Sequence, residues 1–215
     1  MRTKALLLTA ALSAAGVATS MAQAVYSVNA VGYVNTVLHP GFNLISNPLT
    51  ATDNTIATLF KSTPINTAVY KYNGTQFNIS TYDPDDLVFE PNGDATVVPG
   101  EGVFVKIPGT ADVTVTFVGE VPQGDVSNPA VKGLSIKSSK VPQAGTAAEL
   151  GLVGVANDVL YQYNTTTHSY DISTFDPDDL VWAPALKSLK VGEAFFYKSA
   201  NGTTWPRTFD VNATQ

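Results

Sequence analysis

Asp83-Pro84-Asp85-Asp86 and Asp176-Pro177-Asp178-Asp179 each place three carboxylates within four residues, on turns whose geometry proline restricts. Oxygen donors this close together are the hard ligands that Ca²⁺ prefers, completed by backbone carbonyls and water. Asp83, Asp85, Asp86, Asp176, Asp178 and Asp179 are therefore the candidate calcium ligands. Neither stretch carries the glycine or the distal glutamate of an EF-hand loop. The competing reading is a plain Asp-Pro turn, in which one aspartate accepts backbone N–H groups and the others face water. Aromatic residues bracket both turns: Tyr82 and Phe89 in one, Phe175 and Trp182 in the other. A flat ring beside carboxylates can stack on a sugar while the acids grip its hydroxyls. These four are candidate carbohydrate contacts, with Trp205, beside Pro206 on an expected edge strand, as the best single exposed aromatic. Against this, aromatics at matched positions commonly anchor a core, and Leu87 and Val88 next to them point to burial.

The elements that hold these turns are duplicated. Tyr70-Lys71-Tyr72-Asn73 returns as Tyr161-Gln162-Tyr163-Asn164, and the stretch 79–91 returns at 172–184, so residues 68–106 and 159–198 are two copies of one segment. Val31-Gly32-Tyr33-Val34 resembles Val118-Gly119-Glu120-Val121, and Thr116-Phe117 resembles Thr208-Phe209, which puts the junction between residues 117 and 118. A strand ending one unit is expected to run straight into the strand opening the next. The stretch 122–129 is the only linker-like one, a loop inside the second unit.

Alternation in Asp112-Val113-Thr114-Val115-Thr116-Phe117 sets Val113, Val115 and Phe117 on one face of a half-buried strand. Runs rich in β-branched and aromatic residues predict further strands at 26–38, 42–46, 68–72, 76–80, 102–107, 134–138, 160–163, 170–173 and 194–198. Asn73-Gly74, Pro99-Gly100, Pro108-Gly109 and Asn201-Gly202 supply the turns between them. Only 54–61, with Asn54 as its cap, and 145–150 look able to form a short helix. The expected fold is all-β: two tandem homologous small β-sandwich or barrel units packed side by side, each with at most one short helix.

Arg2 and Lys4 followed by the apolar stretch 5–17 and small residues at Ser20 and Ala22 predict a signal peptide over 1–22, leaving a lead strand and first repeat at 23–117 and a second repeat at 118–215. The run is too short and alanine-rich for a transmembrane helix of about 20 apolar residues, and no later stretch approaches that length. The expected location is outside the cytoplasm: extracellular, on the cell surface or periplasmic. The chain contains no cysteine, which excludes disulfides, thiol chemistry and a lipid anchor on an N-terminal cysteine. Removing Arg2 and Lys4 from the 12 basic residues leaves 10 against 18 acidic ones, a net of −8. Arg207 and nine scattered lysines cannot build the basic face that nucleic acid requires.

Enzymatic motifs are missing. His39 and His168 fall at different places in the two units without a partner at metal-ligand spacing, both on expected exposed loops, and there is no Gly-x-Ser-x-Gly elbow or His-Glu-x-x-His helix. A carboxylate pair for hydrolysis would need two acids in contrasting environments, whereas these acids recur symmetrically. The Asn-x-Ser/Thr tripeptides at Asn73, Asn78, Asn164, Asn201 and Asn212 decide nothing in a chain rich in Asn and Thr.

Gly41-Phe42-Asn43-Leu44-Ile45-Ser46-Asn47-Pro48-Leu49, then Val69-Tyr70-Lys71-Tyr72, then Pro99-Gly100-Glu101-Gly102-Val103-Phe104-Val105, together resemble the "GWNLISLPL…VYxYDG…PGxGYWV" domain of bacterial and archaeal secreted or surface proteins. The opening Val25-Tyr26-Ser27-Val28-Asn29-Ala30-Val31-Gly32-Tyr33-Val34 and the closing Val191-Gly192-Glu193-Ala194-Phe195-Phe196-Tyr197 narrow the resemblance to a group of similar-sized exported two-repeat proteins of verrucomicrobial bacteria. The resemblance spans nearly the whole mature chain and implies no activity and no catalytic residue. The second copy departs from the opening motif, reading Gly133-Leu134-Ser135-Ile136-Lys137-Ser138-Ser139, with Lys137 where Ile45 stands.

The expectation is a non-catalytic extracellular or cell-envelope structural protein. Its strands of alternating Thr and Val favour edge-to-edge self-association. A module for surface polysaccharide, with or without calcium, is the alternative. A secreted hydrolase, the third class, would require a deep cleft with convergent acids.

Overall fold

Residues 30–212 are described by a computed structural model of the chain, so the predicted leader, its cleavage site and the first part of the 26–38 strand lie outside them. In chain order the first half contains β1 (Val31–Leu38), β2 (Gly41–Ile45), the one-turn helix α1 (Ile56–Leu59), β3 (Ala68–Tyr72), β4 (Phe77–Tyr82), β5 (Phe89–Glu90), β6 (Val103–Ile107) and β7 (Val113–Glu120). The second contains β8 (Gly124–Asp125), β9 (Asn128–Ala130), β10 (Gly133–Lys137), β11 (Val159–Asn164), β12 (Ser169–Phe175), β13 (Trp182–Ala183), β14 (Phe195–Ser199), β15 (Thr203–Trp205) and β16 (Thr208–Phe209).

Each half is built on a five-stranded antiparallel sheet of one topology: β2-β6-β3-β4-β5 in the first, β10-β14-β11-β12-β13 in the second. Neither closes into a barrel, and the fold is all-β with sandwich-like units. Three buried clusters hold it. The outer face of the first sheet packs Val69, Val103, Val105 and Ile107 against Leu38 of β1, Val115 and Phe117 of β7, and Ile56 and Phe60 around α1. The second sheet sets Leu160, Phe195 and Tyr197 against Leu150, Leu152, Leu189 and Trp205. The third cluster lies between the inner faces, where Leu44, Phe104, Ile136, Ala194 and Phe196 meet. Strands β6 and β14 are thus covered on both sides, which explains why Val103-Phe104-Val105 and Phe195-Phe196-Tyr197 are unbroken apolar runs rather than alternations.

The two halves meet by an internal two-fold. Ile45 at the end of β2 bridges Glu193 just before β14, and Lys137 at the end of β10 bridges Glu101 just before β6. These are the same two repeat positions exchanged, the signature of an isologous contact. Ser46 N donates to Gly192 O at 2.8 Å on one side, and Ser138 N to Gly100 O at 3.2 Å on the other. Strand β7 runs without a break through the 117/118 junction and pairs along its whole length with β1. The repeated Val-Gly pair also has its reason here: Gly32 and Gly119 face each other, and a Cβ on Gly119 would sit 2.4 Å from the Thr50 carbonyl oxygen.

Some expectations change. The 122–129 stretch is pinned, with β8 pairing β16 and β9 pairing β15. Thr55, not Asn54, caps α1 by accepting from Thr58 N, while the Asn54 side chain ties Asn47 to Ala51. The matching stretch of the second half stops at a single turn closed by Leu150 N to Thr146 O, because Gly151 at φ +100° reverses the chain. One buried polar centre has no counterpart in the first half. Asp158, fully buried, accepts from Val155 N at 3.0 Å, Ala200 N at 2.8 Å and the Tyr197 hydroxyl. Burial first, and then the bond to Asp158, pushes the Tyr197 phenol far above its ordinary range. Thr67 and Val105 occupy the equivalent places in the first repeat.

Candidate functional site

The acidic turns are tight and nearly identical. Asp83 Oδ1 accepts from Asp85 N at 2.7 Å and Asp86 N at 3.2 Å, and Asp176 Oδ1 does the same for Asp178 N and Asp179 N at 2.8 and 3.2 Å. Each loop is closed by two backbone bonds, Asp83 N to Val88 O with Leu87 N to Asp83 O, and their equivalents at 176, 180 and 181. Asp85, Asp86, Asp178 and Asp179 are exposed. Among the described residues no three His, Cys, Asp or Glu side chains converge so as to hold a metal ion. Replacing Asp83 and Asp176 together by Ala should cost of the order of 1 kcal/mol per turn, through lost backbone acceptors. If these are plain turns, that loss should be the same in calcium and in chelator; a melt that calcium raises in the parent but not in the variant would support the metal reading.

Leu87 and Val88 correct the expectation of burial. They are 59% and 45% exposed, and Leu180 and Val181 are 69% and 52% exposed. Leu87 and Leu180 sit at φ 55° and 57°, so the left-handed bend that closes each turn swings the apolar pair outwards. The aromatics beside them pair across adjacent strands, with Tyr82, Phe175 and Trp182 half-buried. Tyr82 stacks on Phe89 at 4.9 Å and 9°, with Phe89 buried, and Phe175 meets Trp182 edge-on at 5.4 Å. Tyr82 leans on the first core and Trp182 on the second. Trp205 is likewise a correction. Pairing of β15 with β9 turns it inwards, where it is 4% exposed, packs on Phe195 and donates its Nε1–H to Leu150 O at 2.9 Å. Neither Phe89 nor Trp205 can offer a ring face to a sugar.

His39 and His168 are exposed, as expected, but not idle: His39 Nδ1 lies 2.9 Å from Asp112 Oδ1, and His168 Nδ1 lies 3.2 Å from the Tyr163 hydroxyl.

A cleft of about 480 Å³ opens where the first half meets the second, at the Ile45–Glu193 bridge. Its walls include Thr36, Ile45, Gln162, Tyr163, Lys187 and Glu193. Asp171, a second carboxylate in it, is held by Lys187 Nζ at 2.7 Å. Glu193 Oε2 accepts from Lys190 N at 2.9 Å. Burial, outweighing that bond and the nearby Lys190 charge, holds the Glu193 carboxyl above its ordinary range. The symmetry-related junction is filled instead. There Lys71 Nζ is 3.0 Å from Glu101 Oε2, Lys137 Nζ donates to Pro129 O, and Asn128 Nδ2 bonds Gly100 O and Ser138 O at 2.9 and 3.1 Å. The sequence held a signal for this asymmetry in the replacement of Ile45 by Lys137 and of Lys71 by Gln162 between the copies. It gave none that Glu193 would line a cleft.

The β1–β7 ribbon is a surface of a different kind. It is a sheet of its own, extended among the described residues by Thr50 bridging Glu120. Its outward face carries Val31, Tyr33, Val37 and Val118, between 51% and 71% exposed.

Comparison with protein-family models, with curated proteins and with solved structures found no match to this chain.

Proposed function

We propose that this chain is a non-catalytic structural protein of the extracellular surface or cell envelope, which assembles with copies of itself through the β1–β7 ribbon. The exposed apolar ribbon carries this reading. Two eight-residue strands form the longest pairing in the described chain, yet they show Val31, Tyr33, Val37 and Val118 to solvent, flanked by Asn35, Thr114 and Thr116. A long, flat, apolar strand surface is what proteins that remain single avoid, by shortening it, charging it or covering it. Here the residues at the centre of that face are uncharged. The export expected from the signal-like residues 1–22 and the acidic, cysteine-free composition suit an assembled surface protein, and the motif resemblance to secreted and surface proteins supports the same reading. Residues 23–215 should sediment as large, concentration-dependent assemblies. Tyr33→Glu with Val118→Glu should reduce them to single chains with an unchanged fold. A parent that stays a single chain at all concentrations, or assemblies that the pair of glutamates leaves intact, would exclude the ribbon.

A carbohydrate-binding module is the second reading, favoured by the cleft at Glu193 rather than by the acidic turns. Hydrolysis would need another free carboxylate opposite Glu193, and Asp171 is engaged by Lys187.

A further inference from the structure

The internal two-fold provides a control for the cleft, because the same repeat positions are seen filled on one side and open on the other. At the filled junction a lysine neutralises the glutamate before β6, a second lysine spans the edge, and Asn128 satisfies the carbonyls around Gly100. At the open junction all three are gone. Gln162 replaces Lys71, and its amide turns away to bond the backbone of Lys187 in both directions, at 3.1 Å each. Ile45 replaces Lys137. Thr36 faces Gly192 where Asn128 faces Gly100, and its buried Oγ1 has no hydrogen-bond partner. Glu193 has no ion pair within 4 Å among the described residues; Lys190, exposed, bonds it through the backbone, and its ammonium acts on the carboxylate only from farther away.

We propose that the open junction is a binding site for a small polyhydroxylated ligand carrying a primary ammonium group, an amino sugar, with the ammonium against Glu193 in the place that Lys71 takes against Glu101. Three features fit this class. Glu193 supplies a partly desolvated anion, where a charge-assisted hydrogen bond counts for more than in water. The Lys187–Asp171 pair offers both donors and acceptors to ring hydroxyls. The volume lies within the range of about 300–1,000 Å³ usual for small-molecule sites. The cleft borders the ribbon, since Asn35, Thr36 and Val37 of β1 help to line it, but the proposal rests on Glu193 and not on self-assembly.

Titration of residues 23–215 with glucosamine, N-acetylglucosamine and glucose, followed by calorimetry and by amide chemical shifts, tests it. Glucosamine should bind with shifts centred on Gly192 and Glu193, while the acetylated and neutral sugars should bind at least about tenfold more weakly, because neither can form the charged bond. Glu193→Gln keeps an acceptor for Lys190 N and should lose the same factor. Gln162→Lys puts a lysine where Lys71 stands in the filled junction and should abolish binding. Should the lysine disturb folding, the Gln variant and the location of the shifts still decide. No binding of glucosamine, equal binding of all three sugars, or binding that survives Glu193→Gln would overturn the proposal.

Discussion

Asp158→Ala should be among the most damaging single substitutions in the second half, lowering stability by about 3–5 kcal/mol. The carboxylate is fully buried and accepts three hydrogen bonds, two from backbone N–H groups and one from Tyr197. Truncation leaves those donors facing apolar surroundings, and the cost of an orphaned buried donor exceeds the net value of the bond itself. Tyr197→Phe removes one donor but leaves the carboxylate its two backbone partners, so it should cost less, about 1.5–3 kcal/mol. Urea unfolding of the two variants separates them. A Tyr197 variant as damaging as Asp158→Ala would mean that the hydroxyl, rather than the carboxylate, organises this corner.

Phe196→Ala should cost about 3–5 kcal/mol and, more tellingly, should separate the melting of the two halves. Its ring lies 6.0 Å from Tyr72, 6.4 Å from Phe77 and 5.8 Å from Phe104 of the first sheet, and 6.0 Å from Tyr170 of its own. Aromatic pairs of this kind contribute roughly 0.5–1.5 kcal/mol each beyond area burial. Because the third cluster is built around Phe104 and Phe196, removing one of them strips the seam while leaving both outer cores complete. Calorimetry should then show one transition in the parent and two in the variant. A single sharp transition in both would place the coupling in the reciprocal edge bridges and in β7.

What could be read in the sequence follows from the length of each signal. The strand over 112–117 was legible because its alternation persists, and Val115 and Phe117 are buried as the pattern requires. Strands β5, β8, β13 and β16 contain two residues each, too few for any period to show. Trp205 was misplaced because Pro206 marks an edge, while the partner that covers it, β9, lies in a stretch whose Pro and Gly read as a loop. Leu87 and Val88 were misplaced because residue type argued for burial, whereas a positive φ at Leu87, invisible in composition, sets their direction. The acidic turns were legible as turns down to the capping role of one aspartate. The cleft was not, since it depends on two sheets meeting face to face, and nothing local in Phe104 or Phe196 says which surface each ring will meet.

The unbroken passage of β7 from one repeat to the other has a consequence for how the molecule could change over time. Two identical subunits related by a two-fold must carry every substitution at both of their equivalent junctions. Once a continuous strand joins them in one polypeptide, each junction is encoded separately. One can keep its lysines and asparagine and hold the halves together, while the other is released from that duty and free to drift towards a pocket. Ile45 and Lys137, one position written two ways, record that division of labour.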